Sequence, residues 1–204
     1  MHLIGMLDSP YVRRVAVSMK FMGLPFTHES VSVFRQYDEF VRINPVVKAP
    51  TFITDDGTAL MDSTLILEHL ERLVPPERSL TPLGLKEHVR SQRIVGLALA
   101  ASEKSVQLYY ERSLRPAEKQ HQPWTDRVRN QLLAAYRLLE AEIDADGSWL
   151  FGSRPLQADI TAAVAWRFTQ YTLADVVAPR DFPALNALSE RAESLPEFVS
   201  TPLD

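Results

Sequence analysis

Pro75, Pro76 and Pro82 fall within the short stretch Val74–Gly84, and the hydrophobic patterning differs in kind on its two sides. Before it, short strand-type runs alternate with helical spacings. After it, only helical spacing persists. A change of period across a proline-rich segment points to two folding units joined by a linker. The expected division is an α/β unit over residues 1–75, a linker over 76–84 and an all-helical unit over 85–204. At 204 residues the chain is long enough to bury a real core without covalent staples. It contains no cysteine to make them.

Within the first unit, His2–Gly5 is short and apolar, as a buried strand would be. Pro10 then opens a helix at a position where its missing N–H costs nothing. Val12, Val15, Ala16, Met19 and Met22 recur at helical spacing, and Gly23 ends the run. Phe26–Val33 alternates and reads as a second strand, parallel to the first across the helix. Tyr37–Ile43 is a short helix stopped by Asn44-Pro45. Thr51–Thr54 and Thr58–Met61 flank Asp55-Asp56-Gly57, a hairpin signal. A helix follows with Leu65, Ile66, Leu70 and Leu73 on one side. The predicted order is β-α-β-α-β-β-α. Beyond the linker, Leu85–Leu114, Pro123–Asp144, Ala158–Tyr171 and Ala184–Ser194 are helical patterns, and no strand is expected.

Several chemistries are excluded by what the chain lacks. Without cysteine there are no thiolate zinc sites, iron–sulfur clusters or cysteine nucleophiles. His2, His28, His69, His88 and His121 show no metal-ligand spacing, so no metal is expected. Ser9 lies outside any GxSxG elbow, and no glycine-rich phosphate loop exists. A net charge of −4 gives no nucleic-acid footprint. The longest apolar run, Ile94–Ala101, is far short of the roughly 20 residues that span a membrane. No secretory signal precedes the first strand, so a cytoplasmic location is expected.

Three junctions in the first unit carry chemistry when taken together. Ser9-Pro10 sits where the first strand gives way to the first helix, whose positive end favours an anion. Taken alone, the serine is as well explained as a helix cap. Lys48-Ala49-Pro50 precedes a strand, where a cis bond at Pro50 would leave the Ala49 backbone to pair with a peptide. Asp62-Ser63 begins the third helix. It is either a cap with an acidic neighbour or a site for an amino-acid head group, with Ser63 taking the carboxylate and Asp62 the ammonium.

In this order, Ser9-Pro10-Tyr11-Val12-Arg13-Arg14-Val15, Asn44-Pro45-Val46-Val47-Lys48-Ala49-Pro50 and Met61-Asp62-Ser63 resemble the glutathione S-transferase superfamily, in its bacterial, serine-type form. Ala158-Asp159-Ile160 matches a further signature of that family at the start of a core helix. The resemblance implies a thioredoxin-like first domain, an all-helical second one and a glutathione co-substrate without metal. By position it implies Ser9 as the hydroxyl that stabilises the thiolate, Ala49 as the main-chain partner of the cysteinyl part, and Asp62 and Ser63 as the γ-glutamyl clamp. Lys48, with Arg35 or Gln36, is placed for the glycine carboxylate. The chain departs from the pattern at Val47, where glycine is frequent, and at Leu156, where the helix signature carries Ser or Thr.

The implied activity is conjugation of glutathione to a small hydrophobic electrophile, as in detoxification. Tyr11, Tyr109, Tyr110 and Trp166 are candidate walls for that electrophile, with core packing as the plain alternative. Glutathione-dependent disulfide or peroxide reduction is a second reading, and a non-catalytic binding protein of the stringent-starvation type a third. A homodimer is expected from the resemblance. Asp159 is expected to be buried and to cap its own helix.

Overall fold

Gly5 has φ +133°, and a Cβ there would lie 2.7 Å from a methyl of Val12, so only glycine can make the turn out of the first strand. That turn sets the size of the sheet. In the computed structural model, which describes residues 1–144 and 147–203, β1 is His2–Ile4. Its parallel partner β2 is therefore Thr27–Glu29, shorter than the expected Phe26–Val33. Past Ile4 there is no strand left for residues 30–33 to pair with. β3 (Thr51–Ile53) and β4 (Ala59–Met61) form the expected antiparallel hairpin. The sheet order is β2-β1-β3-β4.

Register assigns the two faces. Leu3 lies opposite Phe52 on the antiparallel neighbour, so both point to one side. α1 (Pro10–Met22) and α3 (Ser63–Glu71) pack together. The His69 ring of α3 stands 6.4 Å from that of Phe52. On the other side Ile4 clusters with Val31 and with Phe40 of α2 (Tyr37–Ile43). α3 does not bury the whole predicted side: Ile66 and Leu70 are fully buried, while Leu65 and Leu73 are about half exposed. A nine-residue helix on one edge of a small sheet has room for a narrow stripe only.

α1 also buries two cations that an apolar-period template leaves outside. The Arg13 Nε–H donates to the Thr201 carbonyl at 2.8 Å, and its guanidinium lies 5.5 Å from the Phe198 ring centroid. Phe198 meets Phe21 edge-on at 6.3 Å. These contacts tie a short terminal helix, α8 (Pro196–Val199), to α1. The chain from Ser194 onward thus belongs to the α/β unit, although the expected helical domain ran to the end of the chain.

The helical unit, Pro82–Glu193, is built from α4 (Leu85–Ser113), α5 (Gln122–Glu140), α6 (Gln157–Leu173) and α7 (Pro183–Glu193). α4 packs on α5 and α6, and α6 on α7. Ala158, Ala162 and Ala165 let α6 approach its neighbours closely in the core. Among the described residues no strand follows β4. Only an isolated bridge joins Trp149 and Gly152. No described helix is long and apolar enough to cross a membrane.

Candidate functional site

Ser9 is the N-cap of α1. Its φ and ψ of −71° and 123° are extended, and its hydroxyl accepts from the Val12 N–H at 3.5 Å. That is long for a hydrogen bond, so the oxygen is only lightly held. Pro10, with no N–H of its own, follows as the first helical residue. The hydroxyl thus stands at the positive end of a thirteen-residue helix with most of its bonding capacity unused.

Ala49–Pro50 is a cis peptide. Ala49 adjoins the β1–α1 turn, because the Cβ that Gly5 lacks would come within 3.1 Å of the Ala49 Cβ. The loop before it is anchored by Asn44, which is buried and donates from Nδ2 to Thr51 Oγ1 at 2.9 Å. Val47 there has φ +53°, a left-handed backbone that a β-branched side chain tolerates poorly. The frequent glycine of the family pattern suits this conformation.

Asp62 has φ +73° and caps α3, accepting from the Thr64 N–H at 2.9 Å. Its other oxygen lies 3.6 Å from Lys48 Nζ. Both side chains are about half exposed, so the pair is weak and easily exchanged for ligand contacts. Ser63, first residue of α3, is buried, and its Oγ accepts from Arg14 Nη1 at 3.1 Å. Lys48, Ala49, Asp62 and Ser63 therefore meet along one rim with the start of α1.

Arg35 is exposed and its guanidinium reaches Met6 Sδ at 3.4 Å, in the same β1–α1 turn. Gln36 is engaged locally. Its Oε1 accepts from the Ser32 N–H at 3.1 Å and its Nε2 donates to Glu39 at 3.0 Å.

The aromatic candidates separate sharply. Tyr11 is half-buried on α1. Tyr109 and Tyr110 are 37% and 39% exposed. Tyr110 lines a shallow groove of about 500 Å³ with Leu114, Arg115 and Trp124, all within the helical unit. Trp166, by contrast, is a core residue at 1% exposure. Its ring packs edge-on against Tyr136 and Phe182 at 5.2 and 5.7 Å, and its Nε1–H donates to Asn186. It offers no face to a ligand.

Asp159 is fully buried and accepts from the Leu150 and Leu156 N–H groups at 2.9 and 3.0 Å. Burial pushes its carboxyl above the ordinary range, against the pull of these backbone donors. Leu156 has no side-chain acceptor, so only half of a capping box is present.

The residue that motif reading passed over is Arg14. Burial lowers its guanidinium to about 10, while Asp62 and Tyr11 act in the opposite sense. Its only sequence signal is a second consecutive arginine on the buried face of α1.

The profile described as "Glutathione S-transferase, N-terminal domain" matches residues 3–78, and the one described as "Glutathione S-transferase, C-terminal domain" matches residues 122–191. Among curated relatives, the uncharacterized GST-like protein YibF of Escherichia coli is 26% identical over 72% of each chain. The maleylacetoacetate isomerase of Pseudomonas aeruginosa is 28% identical over 74% of this chain and 72% of its own. A glutathione transferase family member from Pseudomonas fluorescens, solved with bound glutathione, superposes with a TM-score of 0.86 at 27% identity. That match covers 100% of this chain and 98% of the other. A glutathione S-transferase from Methylobacterium radiotolerans, in complex with glutathione sulfonate, shares the fold with a TM-score of 0.90 at 24% identity, over 98% and 93% of the two chains.

Proposed function

The chain belongs to the glutathione S-transferase family, and from that premise we propose that it binds glutathione along the rim formed by α1, the Lys48–Pro50 loop and α3, and transfers its thiolate to a small hydrophobic electrophile. One observation carries this reading. Three junctions that are separate in sequence are contiguous in space: Gly5 lies against Ala49, Lys48 against Asp62, and Arg14 bridges α1 to Ser63.

In this reading the γ-glutamyl ammonium displaces Lys48 from Asp62, and the α-carboxylate meets Ser63 at the positive end of α3. The Ala49 backbone pairs with the cysteinyl residue. Lys48 and Arg35 attract the glycine carboxylate. The sulfur then lies at Ser9. A thiol of pKa about 8.5 is only a few per cent ionised at pH 7, and lowering it by two units takes about 2.7 kcal/mol. A hydroxyl bond to a charged acceptor supplies about 1.5–3 kcal/mol and a helix N-terminus about 0.3–1. The thiol proton is lost to solvent. The thiolate attacks the electrophilic carbon, a C–S bond forms, and the leaving group departs with its electron pair. Tyr11, Tyr109 and Tyr110 remain candidate contacts for the electrophile.

The test is the thiolate absorbance of the glutathione complex against pH, for wild type and Ser9→Ala. We expect the midpoint to rise by about 1–2 units in the variant, from one lost charge-assisted bond. An unchanged midpoint reduces Ser9 to a cap, and failure of the wild type to bind glutathione overturns the reading. We further propose a homodimer that covers apolar side chains left exposed on α3 (Leu65) and α4 (Leu85, Val89). Sedimentation at micromolar concentration should give twice the chain mass of 23.1 kDa.

A further inference from the structure

The turn from β1 into α1 runs through Met6, whose carbonyl accepts the Ser9 N–H at 3.2 Å. The Met6 side chain is only half-buried, and its sulfur accepts from Arg35 Nη2 at 3.4 Å. Among the described residues this thioether is the sole hydrogen-bond acceptor of the Arg35 guanidinium. The Arg35 backbone is held separately, by Ser32 Oγ at 3.1 Å. A thioether is a weak acceptor, and a guanidinium has five donors to place. An exposed cation is therefore loosely held by sulfur, three residues from Ser9.

The other methionines differ. Met19 and Met22 are fully buried on α1. Met61 is half-buried, but its sulfur faces the Asn44 amide at 3.9 Å, and that Nδ2 already donates to Thr51 Oγ1 at 2.9 Å. Among the described residues only the Met6 sulfur meets a cation. Oxygen on Met6 would thus find a strong donor in place, and oxygen on the others would not.

We propose that Met6 is an oxidation site, at which a hydroperoxide converts the thioether to the sulfoxide and so withdraws Arg35 from the ligand. The proposal rests on the glutathione-binding reading above, in which Arg35 attracts the glycine carboxylate, and adds a covalent control over it. One sulfur lone pair faces Arg35, and the other attacks the outer oxygen of the hydroperoxide. An S–O bond forms and the O–O bond breaks. The departing oxygen keeps the electron pair of that bond and takes the proton of the transferred hydroxyl. The products are one sulfoxide and one alcohol, or water where the oxidant is hydrogen peroxide. Sulfur loses two electrons and the peroxide gains them. The guanidinium beside the sulfur stabilises the charge that develops on the departing oxygen. The polar sulfoxide oxygen then takes the guanidinium that the thioether held loosely. Methionine sulfoxide is reducible, so the change is reversible.

The experiment treats the protein with hydrogen peroxide, removes the oxidant, and reads two things. Peptide mass spectrometry shows which methionine has gained one oxygen. Equilibrium binding compares glutathione with its analogue amidated at the glycine carboxylate. Met6 should oxidise before Met61, and faster than Met19 and Met22 by about tenfold or more, since susceptibility follows exposure. Untreated wild type should prefer glutathione over the amide by about tenfold, and oxidised wild type by about threefold or less. In Met6→Leu, a volume-conserving change, the same treatment should leave the preference where it began. In Arg35→Gln, Met6 should still gain oxygen, but the preference should no longer respond. Oxidation of Met61 ahead of Met6 would overturn the proposal, as would an equal response to peroxide in Met6→Leu. Selective oxidation of Met6 with an unchanged preference sinks this proposal alone. A wild type that binds neither ligand sinks the function reading and this control with it.

Discussion

The α/β unit and the helical unit differ in where closed polar clusters and left-handed backbone lie. In the helical unit, several buried polar groups satisfy one another. Ser105, Thr169 and the Tyr136 hydroxyl form a closed cluster, with Tyr136 also donating to the Ala165 carbonyl. Asp159 takes two backbone donors, and Glu140 accepts from the Ala184 and Leu185 N–H groups at the start of α7, each at 2.8 Å. The α/β unit instead holds both described non-glycine residues with left-handed backbone, Val47 and Asp62. Backbone strain gathers where the ligand is proposed to bind.

The sharpest way to break this contrast is Asp159→Ala. Two part-buried N–H groups would lose their acceptor, so unfolding should become easier by about 0.5–2 kcal/mol, the range for a lost helix cap. Chemical denaturation reads this, and glutathione affinity per folded molecule should hold. A loss below about 0.5 kcal/mol would mean that the helical unit does not depend on its satisfied polar groups.

A smaller effect concerns acid. Glu142 is held below the ordinary carboxylate range first by its bond to Arg93 and then by Arg90, against its own desolvation. A carboxyl lowered on folding contributes stability that is present above its unfolded value, near 4.5, and is lost as pH falls through the lower folded one. Asp159, raised by burial, has the opposite sign: its contribution is present below the unfolded value and fades as pH rises. Glu142→Gln should therefore cost about 0.5–1 kcal/mol at pH 7, discounted for its partly exposed partners, and progressively less as pH falls through the lowered folded value. A cost that does not vary with pH would remove the ion pairs from the account of this unit.

The smallest expected change lies in the other unit. Val47→Gly removes left-handed strain of about 1–2 kcal/mol but adds a glycine entropy cost of about 0.5–1. Val47 also packs, partly buried, against the Ile4–Val31–Phe40 cluster. A net gain of about 0.5 kcal/mol in thermal unfolding is expected. A clear loss would show that Val47 is held by packing and that the loop is not strained.

Much of the framework was legible because it is local. Tyr37–Ile43 has the predicted bounds, and Leu85–Leu114 is one residue longer than the observed helix. The hairpin follows from Asp55-Asp56-Gly57, and the second-unit helices from spacing alone. The misreadings share a cause. The expected second strand exceeds the observed one because its length depends on β1, which ends at Ile4 before the Gly5 turn. Leu65 and Leu73 share a helical side with Ile66 and Leu70 and are nevertheless exposed, because a period gives a direction and not a neighbour. Trp166 is a core residue and not a ligand wall, a distinction sequence does not make because an aromatic reads alike in core and cleft.

The sequence by itself determined the two-unit plan, the order of elements, and the serine, loop and acidic-serine positions at three helix or strand entries. Those depend on backbone preferences and periods that act over a few residues. Only the tertiary structure decided that Ser194 onward rejoins the first unit, that Gln36 is engaged locally, and that Ser63 accepts from an arginine 49 positions away. The physical reason is that a hydroxyl, an amide or a guanidinium takes its role from whichever partner packing brings within about 3 Å, and no local pattern encodes that partner.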